Sequence, residues 1–166
     1  MSLPFSEALR QLPAALFAGE KVAFRPIQSE RDIAYAVMEC QLTDQQRALV
    51  NPAGFSIGRA YLDPGNNFPC LICTTQGRPI GFIHFLRWRG EGAAVSWSFY
   101  IDRRHQGQGY GRAAAALAVQ LLKAAFPEEN IKLSTEVANL KAQALYRSLG
   151  FQQLDETDGD DLVFGL

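Results

Sequence analysis

Residues 106–112, Gln-Gly-Gln-Gly-Tyr-Gly-Arg, place glycines at 107, 109 and 111, between an apolar run that ends at Ile101 and a helical one. Glycine tolerates positive φ and lets the backbone approach a ligand closely, so successive N–H groups in such a loop can turn toward one anion. A helix that starts there adds the partial positive charge of its N-terminus. The chemistry this spacing suits is the cradling of a phosphate. The dinucleotide fingerprint needs Gly-x-Gly-x-x-Gly after a first parallel strand, which is a different spacing. The triphosphate loop ends in Gly-Lys-Ser/Thr, whereas this one ends in Gly111-Arg112-Ala113. A glycine-rich turn without a ligand is the remaining plain reading.

Other residues with chemical capacity are few. Tyr146 could donate a proton, or simply pack among Ala142, Leu145 and Leu149. Asn139 is a good helix cap whatever else it does. His84 lies within the strand-like run Gly81–Phe85, where a satisfied structural histidine competes with a base. His105 reads as solvated. Cys70 and Cys73 have redox-like spacing, but they sit in one apolar strand, where side chains three apart point to opposite faces. Three cysteines, an odd number, argue against a disulfide framework and for a reducing compartment. No histidine cluster completes a metal site, so no metal is expected.

These residues need a scaffold, and 166 residues suffice for one domain spanning 1–166. Apolar residues at 48%, charged residues at 20% and a net charge of −1 describe a globular chain with no global attraction for nucleic acid or an anionic membrane. No apolar run reaches the roughly 20 residues of a membrane span, and no secretory signal is evident, so a cytoplasmic protein is expected. Residues 1–20 read as an N-terminal helical extension, with Leu9, Leu12 and Leu16 at helical spacing and Pro13 breaking it. A short strand at 22–25 precedes a helix capped by Ser29, with Ile33, Val37 and Met38 on one face. A second helical stretch, 44–62, is interrupted at Asn51-Pro52 and Gly54. Strands at 70–74, 79–88 and 94–101 form an antiparallel meander. Then come a helix at 111–126, a strand at 131–136, a helix at 139–149 and two closing strands. The fold class is therefore α+β, a mixed, mostly antiparallel central sheet flanked by helices.

Gln106-Gly107-Gln108-Gly109-Tyr110-Gly111 resembles the Gln/Arg-x-x-Gly-x-Gly/Ala signature of the GNAT superfamily of N-acetyltransferases. Residues 139–151, an Asn-led helix carrying Tyr146 and ending in Gly150-Phe151, are similar to that family's second motif, and Ile101-Asp102 before the loop is usual there. The resemblance covers roughly residues 21–166. It implies a GNAT-like acyl-CoA N-acyltransferase fold and an acetyl-CoA-dependent enzyme that acetylates a primary amine. The amides of Gln106, Gly107, Gln108, Gly109, Tyr110, Gly111 and Arg112 would then bind the pyrophosphate of coenzyme A, with an added charge contact from the Arg112 side chain. The backbone of Phe99, Tyr100 and Ile101 would pair with the pantetheine arm and polarise the thioester carbonyl. Asn139 would reach the cofactor, and Tyr146 would protonate the departing thiolate.

Many relatives carry a glutamate base on the strand before the loop. This chain has Ser96 and Ser98 there, so the base is unassigned among His84 and ordered water. Residues 42–61, with 97–102, loosely resemble the spermine/spermidine acetyltransferase branch. That implies a polyamine acceptor such as spermidine, for which Glu39 and Asp44 could supply carboxylates. The alternatives are a protein or peptide N-acetyltransferase and a non-catalytic coenzyme A sensor. The expected partner is a small-molecule amine. Dimers are common in the superfamily, which leaves a homodimer open, although no stripe marks an interface.

Overall fold

The computed structural model describes residues 3–166; Met1 and Ser2, at the start of the expected N-terminal extension, lie outside the described residues. The sheet has seven strands in the order β1-β2-β3-β4-β5-β7-β6. β1 (Val22–Pro26), β2 (Asn67–Thr74), β3 (Pro79–Arg87) and β4 (Ala94–Ile101) are antiparallel neighbours. β5 (Asn130–Thr135) runs parallel to β4, which requires a crossover, and α5 (Tyr110–Ala125) provides it across one face. α6 (Leu140–Ser148) follows, and the hairpin of β6 (Gln152–Asp158) and β7 (Asp161–Gly165) closes the sheet beyond β5. This is the mixed α+β architecture that the sequence pattern implies.

Strand alternation divides the apolar side chains between two cores. Cys70 and Ile72 join the larger core with Leu117, Leu121 and Leu122 of α5, while Leu71 and Cys73 face the smaller one. The two cysteines thus point to opposite faces and are both buried and free. The smaller core is closed by Tyr35 and Ala36 of the π turn Tyr35–Glu39, which follows α2 (Glu30–Ala34), and by Ala53 and Ile57 of α4 (Ala53–Leu62); α3 (Asp44–Leu49) lies between them. No helix among the described residues is long and apolar enough to cross a membrane.

The N-terminal segment is helical and packs on the domain: α1 (Phe5–Arg10) drives Phe5 and Leu9 into the larger core, and Phe5 stacks on Phe126 at 5.1 Å. One expectation needs correction. On α2, Ser29 does cap the helix, accepting from the Asp32 N–H at 3.1 Å, but Ile33, Val37 and Met38 face outward, Met38 at 81% exposure. Polar contacts choose the buried face instead. The Asp32 carboxylate takes Arg25 at 3.1 Å, and the Tyr35 hydroxyl donates to the buried Asp102 at 3.3 Å. Apolar spacing alone did not decide which side faces the sheet.

Leu121→Ala, in the larger core, is expected to lower the unfolding free energy by roughly 2–5 kcal/mol. Met38→Ser should stay within about 0.5 kcal/mol of the parent. Urea unfolding of both variants checks the assignment of faces.

Candidate active site

β4 and β5 pair only at Ala94↔Asn130 and Val95↔Ile131. Beyond Val95 they part, because β5 continues in register with β7 through Lys132–Thr135. Six residues of β4, Ser96 to Ile101, therefore run roughly 20 Å with no strand on that side. Which of their groups face the split follows from the ladder on the other side. Trp88 N–H donates to Ala94 O and Asp102 N–H to Ile80 O, so even-numbered residues of β4 bond to β3. Trp97, Phe99 and Ile101 consequently turn their backbone N–H and C=O groups into the split. Tyr100 stands apart from Phe99 and Ile101: its backbone belongs to the β3 ladder and its ring is buried in the smaller core.

The end of the split is closed by amide side chains. Gln106 Nε2 donates to Ile101 O at 2.9 Å, and Gln46 Nε2 reaches the same oxygen at 3.3 Å. Gln106 therefore spends its side chain on β4, leaving only its backbone for a ligand. Gly107 and Gly109 have φ of +73° and +82°, the left-handed region that glycine occupies without strain. The N–H groups of Gln106, Gly107, Gln108 and Gly109 donate to no backbone acceptor among the described residues. They adjoin the N-terminus of α5, a 16-residue helix whose first N–H groups are also free of intrahelical partners. Gly111 is different. It lies in the first helical turn, where an added Cβ would only touch Phe99 at 3.8 Å and Ile101 at 3.9 Å.

Lys21 is a loop residue that the sequence did not disclose. Its ammonium donates to the Gln108 carbonyl and lies 5.1 Å over the Tyr110 ring. A cation thus stands beside the turned amides, from a segment 87 residues away with no motif around it. Arg112, expected at the phosphates, instead donates to Ser148 Oγ at 2.7 Å and ties α5 to α6.

Tyr146 is buried on α6, with Phe151 and Phe164 each 5.9 Å away between ring centroids. Phe151 in turn meets Trp97 edge-on at 5.8 Å, so Tyr146 belongs to the aromatic cluster beneath the split-lining strand. Burial pushes its phenol up to about 12, which keeps it protonated through the neutral range. Asn139 caps α6, its Oδ1 accepting from the Ala142 N–H at 3.2 Å.

His84 is a satisfied strand histidine. It is 1% exposed, and its Nε2 lies 2.9 Å from Asn67 Oδ1. Burial, then the nearby Arg59 and Arg89 charges, push its imidazole down to about 4. Such a group is too weak and too enclosed to collect an ammonium proton. Ser96 is buried and Ser98 exposed on the same face. Glu39, counted toward a polyamine groove, is held by Arg31 at 2.6 Å. It lines a cavity of about 330 Å³ whose walls carry Arg25, Arg31, Arg78 and Arg104, with His105 at one side. No cluster of three or more His, Cys, Asp or Glu side chains that could hold a metal is found among the described residues.

A parted pair of parallel strands, with turned amides and a helix N-terminus beside the opening, can seat an extended ligand that ends in phosphate. The sequence matches the acetyltransferase (GNAT) family over residues 34–151, and the chain belongs to that family. It is an N-acetyltransferase. The sequence has no match among curated proteins. Among solved structures, it resembles the GNAT domain of S. lividans PAT at a TM-score of 0.69 and 17% identity, covering 94% of this chain and 99% of that one. RimJ of Mycobacterium smegmatis, in complex with CoA-disulfide, aligns at 0.67 and 19%, covering 87% and 81%. A Vibrio cholerae protein proposed to be a ribosomal-protein-serine acetyltransferase aligns at 0.68 and 17%, covering 90% and 95%. At these identities the likeness shows the fold.

Gly109→Ala is expected to weaken coenzyme A binding by at least about tenfold, since it strains a positive φ and places Cβ 3.0 Å from Lys21 Nζ. Gly111→Ala should bind within about threefold of the parent, because its Cβ meets only van der Waals contacts. Calorimetry on both variants checks the loop. His84 also predicts a pH dependence. The folded state holds it neutral down to about 4, while the unfolded chain takes up a proton near 6.5. Its contribution is thus fully present above about 6.5 and lost as pH falls toward 4. Urea unfolding from pH 7.5 to 4 should show that slope, and His84→Gln should flatten it.

Proposed function

We propose that this acetyltransferase moves the acetyl group of acetyl-CoA directly onto the primary amine of a small molecule. The observation that carries the reading is the joining of the β4–β5 split to the amide-lined loop at 106–111. The fit to coenzyme A is supported by three features: the left-handed Gly107 and Gly109, the unpaired odd residues of β4, and Lys21 beside the loop. The CoA-disulfide complex of the M. smegmatis neighbour is in keeping with it. Acetyl-CoA supplies an activated acyl carbon and a thiolate leaving group.

The chain's residues then have distinct tasks. The amides of Gln106 to Arg112 hold the pyrophosphate, and Lys21 adds the charge once expected from Arg112. Phe99 and Ile101 offer N–H groups to the pantetheine arm and, at the thioester, one donor to the oxygen that gains charge. Asn139 lies at the α6 N-terminus, where its cap leaves the Nδ2 group for the cofactor. Tyr146 stays protonated through the neutral range and donates to the thiolate as it forms. With His84 closed off, the ammonium proton leaves through water at the exposed Ser98 side of β4. We place the reaction in the cytoplasm, with no metal.

The acceptor expected from the sequence, a polyamine, would need spaced carboxylates, and Glu39 faces Arg31 in a cavity whose other walls are mostly arginine. A protein acceptor is raised by the name of the V. cholerae neighbour.

Tyr146→Phe should lower kcat by roughly 10²–10⁴ while leaving acetyl-CoA affinity near the parent value. Thiol release measured against a panel of amines, amino acids, polyamines and peptides checks this. A Phe variant as fast as the parent would return Tyr146 to a packing role.

A further inference from the structure

Arg59 on α4 has no place in the reaction described above, yet its surroundings are unusual for an arginine. Its Nε is shut off from solvent with no hydrogen-bond partner among the described residues. Its guanidinium lies over the Phe55 ring, 6.0 Å from the centroid, and no ion pair reaches it among the described residues. The acid whose charge acts on it, Asp63, is already engaged: its carboxylate accepts from Asn66 Nδ2 at 3.2 and 3.3 Å and faces Arg89 at 3.8 Å. A partly desolvated cation with no directly paired carboxylate costs free energy that an incoming anion would recover.

The end of α4 that carries Arg59 is tied to the strands beside the split by hydrogen bonds. The Asp63 N–H donates to Arg59 O, and Asn67 Nδ2 donates to Asp63 O at 2.9 Å. Asn67 Oδ1 meets His84 Nε2 at 2.9 Å, and His84 is the register partner of Ser98. Ser98 is the exposed residue of β4 between Trp97 and Phe99, both of which open into the split. The Arg59 and Arg89 charges both act on the buried His84, so an amine that approaches the split over the exposed Ser98 does so beside the Arg59 guanidinium. The ionisable groups there are Arg59, Arg89 and Asp63, a balance of one positive charge, since the buried His84 is neutral at physiological pH.

We propose that Arg59 is the acceptor-recognition residue, binding a carboxylate on the small amine that is acetylated. The preferred acceptor is thus an amino acid or a related amino-carboxylate, and a polyamine is repelled. This rests on acetyl transfer taking place at the β4–β5 split. Arg59 acts as a binding and positioning group, so its removal affects the acceptor and not the donor.

The experiment compares acceptors that differ only in the anionic group: amino acids against their carboxamides, with 2-aminoethylphosphonate and spermidine alongside. In the parent enzyme, kcat/KM for the carboxylate should exceed that for the amide by roughly 10–100-fold. Arg59→Gln should erase that ratio through KM, with kcat and acetyl-CoA affinity unchanged, and Arg59→Lys should restore part of it. Equal rates with carboxylate and amide, a preference for spermidine or the phosphonate, or an undiminished ratio in Arg59→Gln would overturn the assignment. If acetyl-CoA binds but no amine is acetylated, the transferase reading of the site fails separately. Titration of N-acetylated amino acids into the coenzyme A-loaded parent and Arg59→Gln then decides the question for Arg59. Binding lost in the variant supports it, and no binding to the parent, or equal binding, refutes it.

Discussion

The parting of β4 from β5 after Val95 is the constraint on which the rest of the site depends. A parallel pair that stayed in register would satisfy its own backbone groups and leave nothing for a ligand. Here β5 is held by β7 on its far side, so it follows the closing hairpin and not β4. Trp97 and Phe99 keep their N–H and C=O groups and Ile101 its N–H, and the aromatic cluster of Trp97, Phe151 and Tyr146 fills the space beneath. An unpaired strand edge is ordinarily a hazard for association. In this chain it lies between two elements of one sheet, where an extended ligand can reach it and another sheet edge cannot easily do so.

The charges around the split are arranged with the same economy. At the phosphate end, free amides, a helix N-terminus and Lys21 collect positive potential. At the end of β4, Asp102 anchors the turn into the loop. Burial alone would raise its carboxyl, but hydrogen bonds from Arg104 outweigh that and hold it down at about 2. That buried carboxylate, bonded to Arg104 and Tyr35, fixes where the loop begins. The start of the loop is thus tied through Tyr35 to the smaller core, which helps a short glycine loop keep one shape.

Much of this was legible in the sequence because local rules governed it. The alternation of Gly107, Gly109 and Gly111 between a strand and a helix marked the loop. The strands 79–88 and 94–101 were read within a residue of their observed limits, and Leu117 and Leu121 identified the buried stripe of α5. What escaped was set by closeness in space. Lys21 reaches the loop across 87 residues, and the split arises from the pairing of β5 with a strand 30 residues later. The helical spacing of Ile33, Val37 and Met38 was real, but a π turn and the Asp32 and Tyr35 contacts turned that face outward. The alternation that separates Tyr100 from Phe99 and Ile101 needed the register with β3, which no motif carries.

The central claim is that the donor lies along β4 and ends at the glycine loop. Amide hydrogen exchange with and without coenzyme A, resolved by residue, tests it most directly. Added coenzyme A should protect Phe99 and Ile101 together with residues 106–112, while Tyr100, already bonded to β3, changes little. Protection confined to the arginine-lined cavity near Glu39, or none at Phe99, Ile101 and the loop despite saturating ligand, would contradict the account.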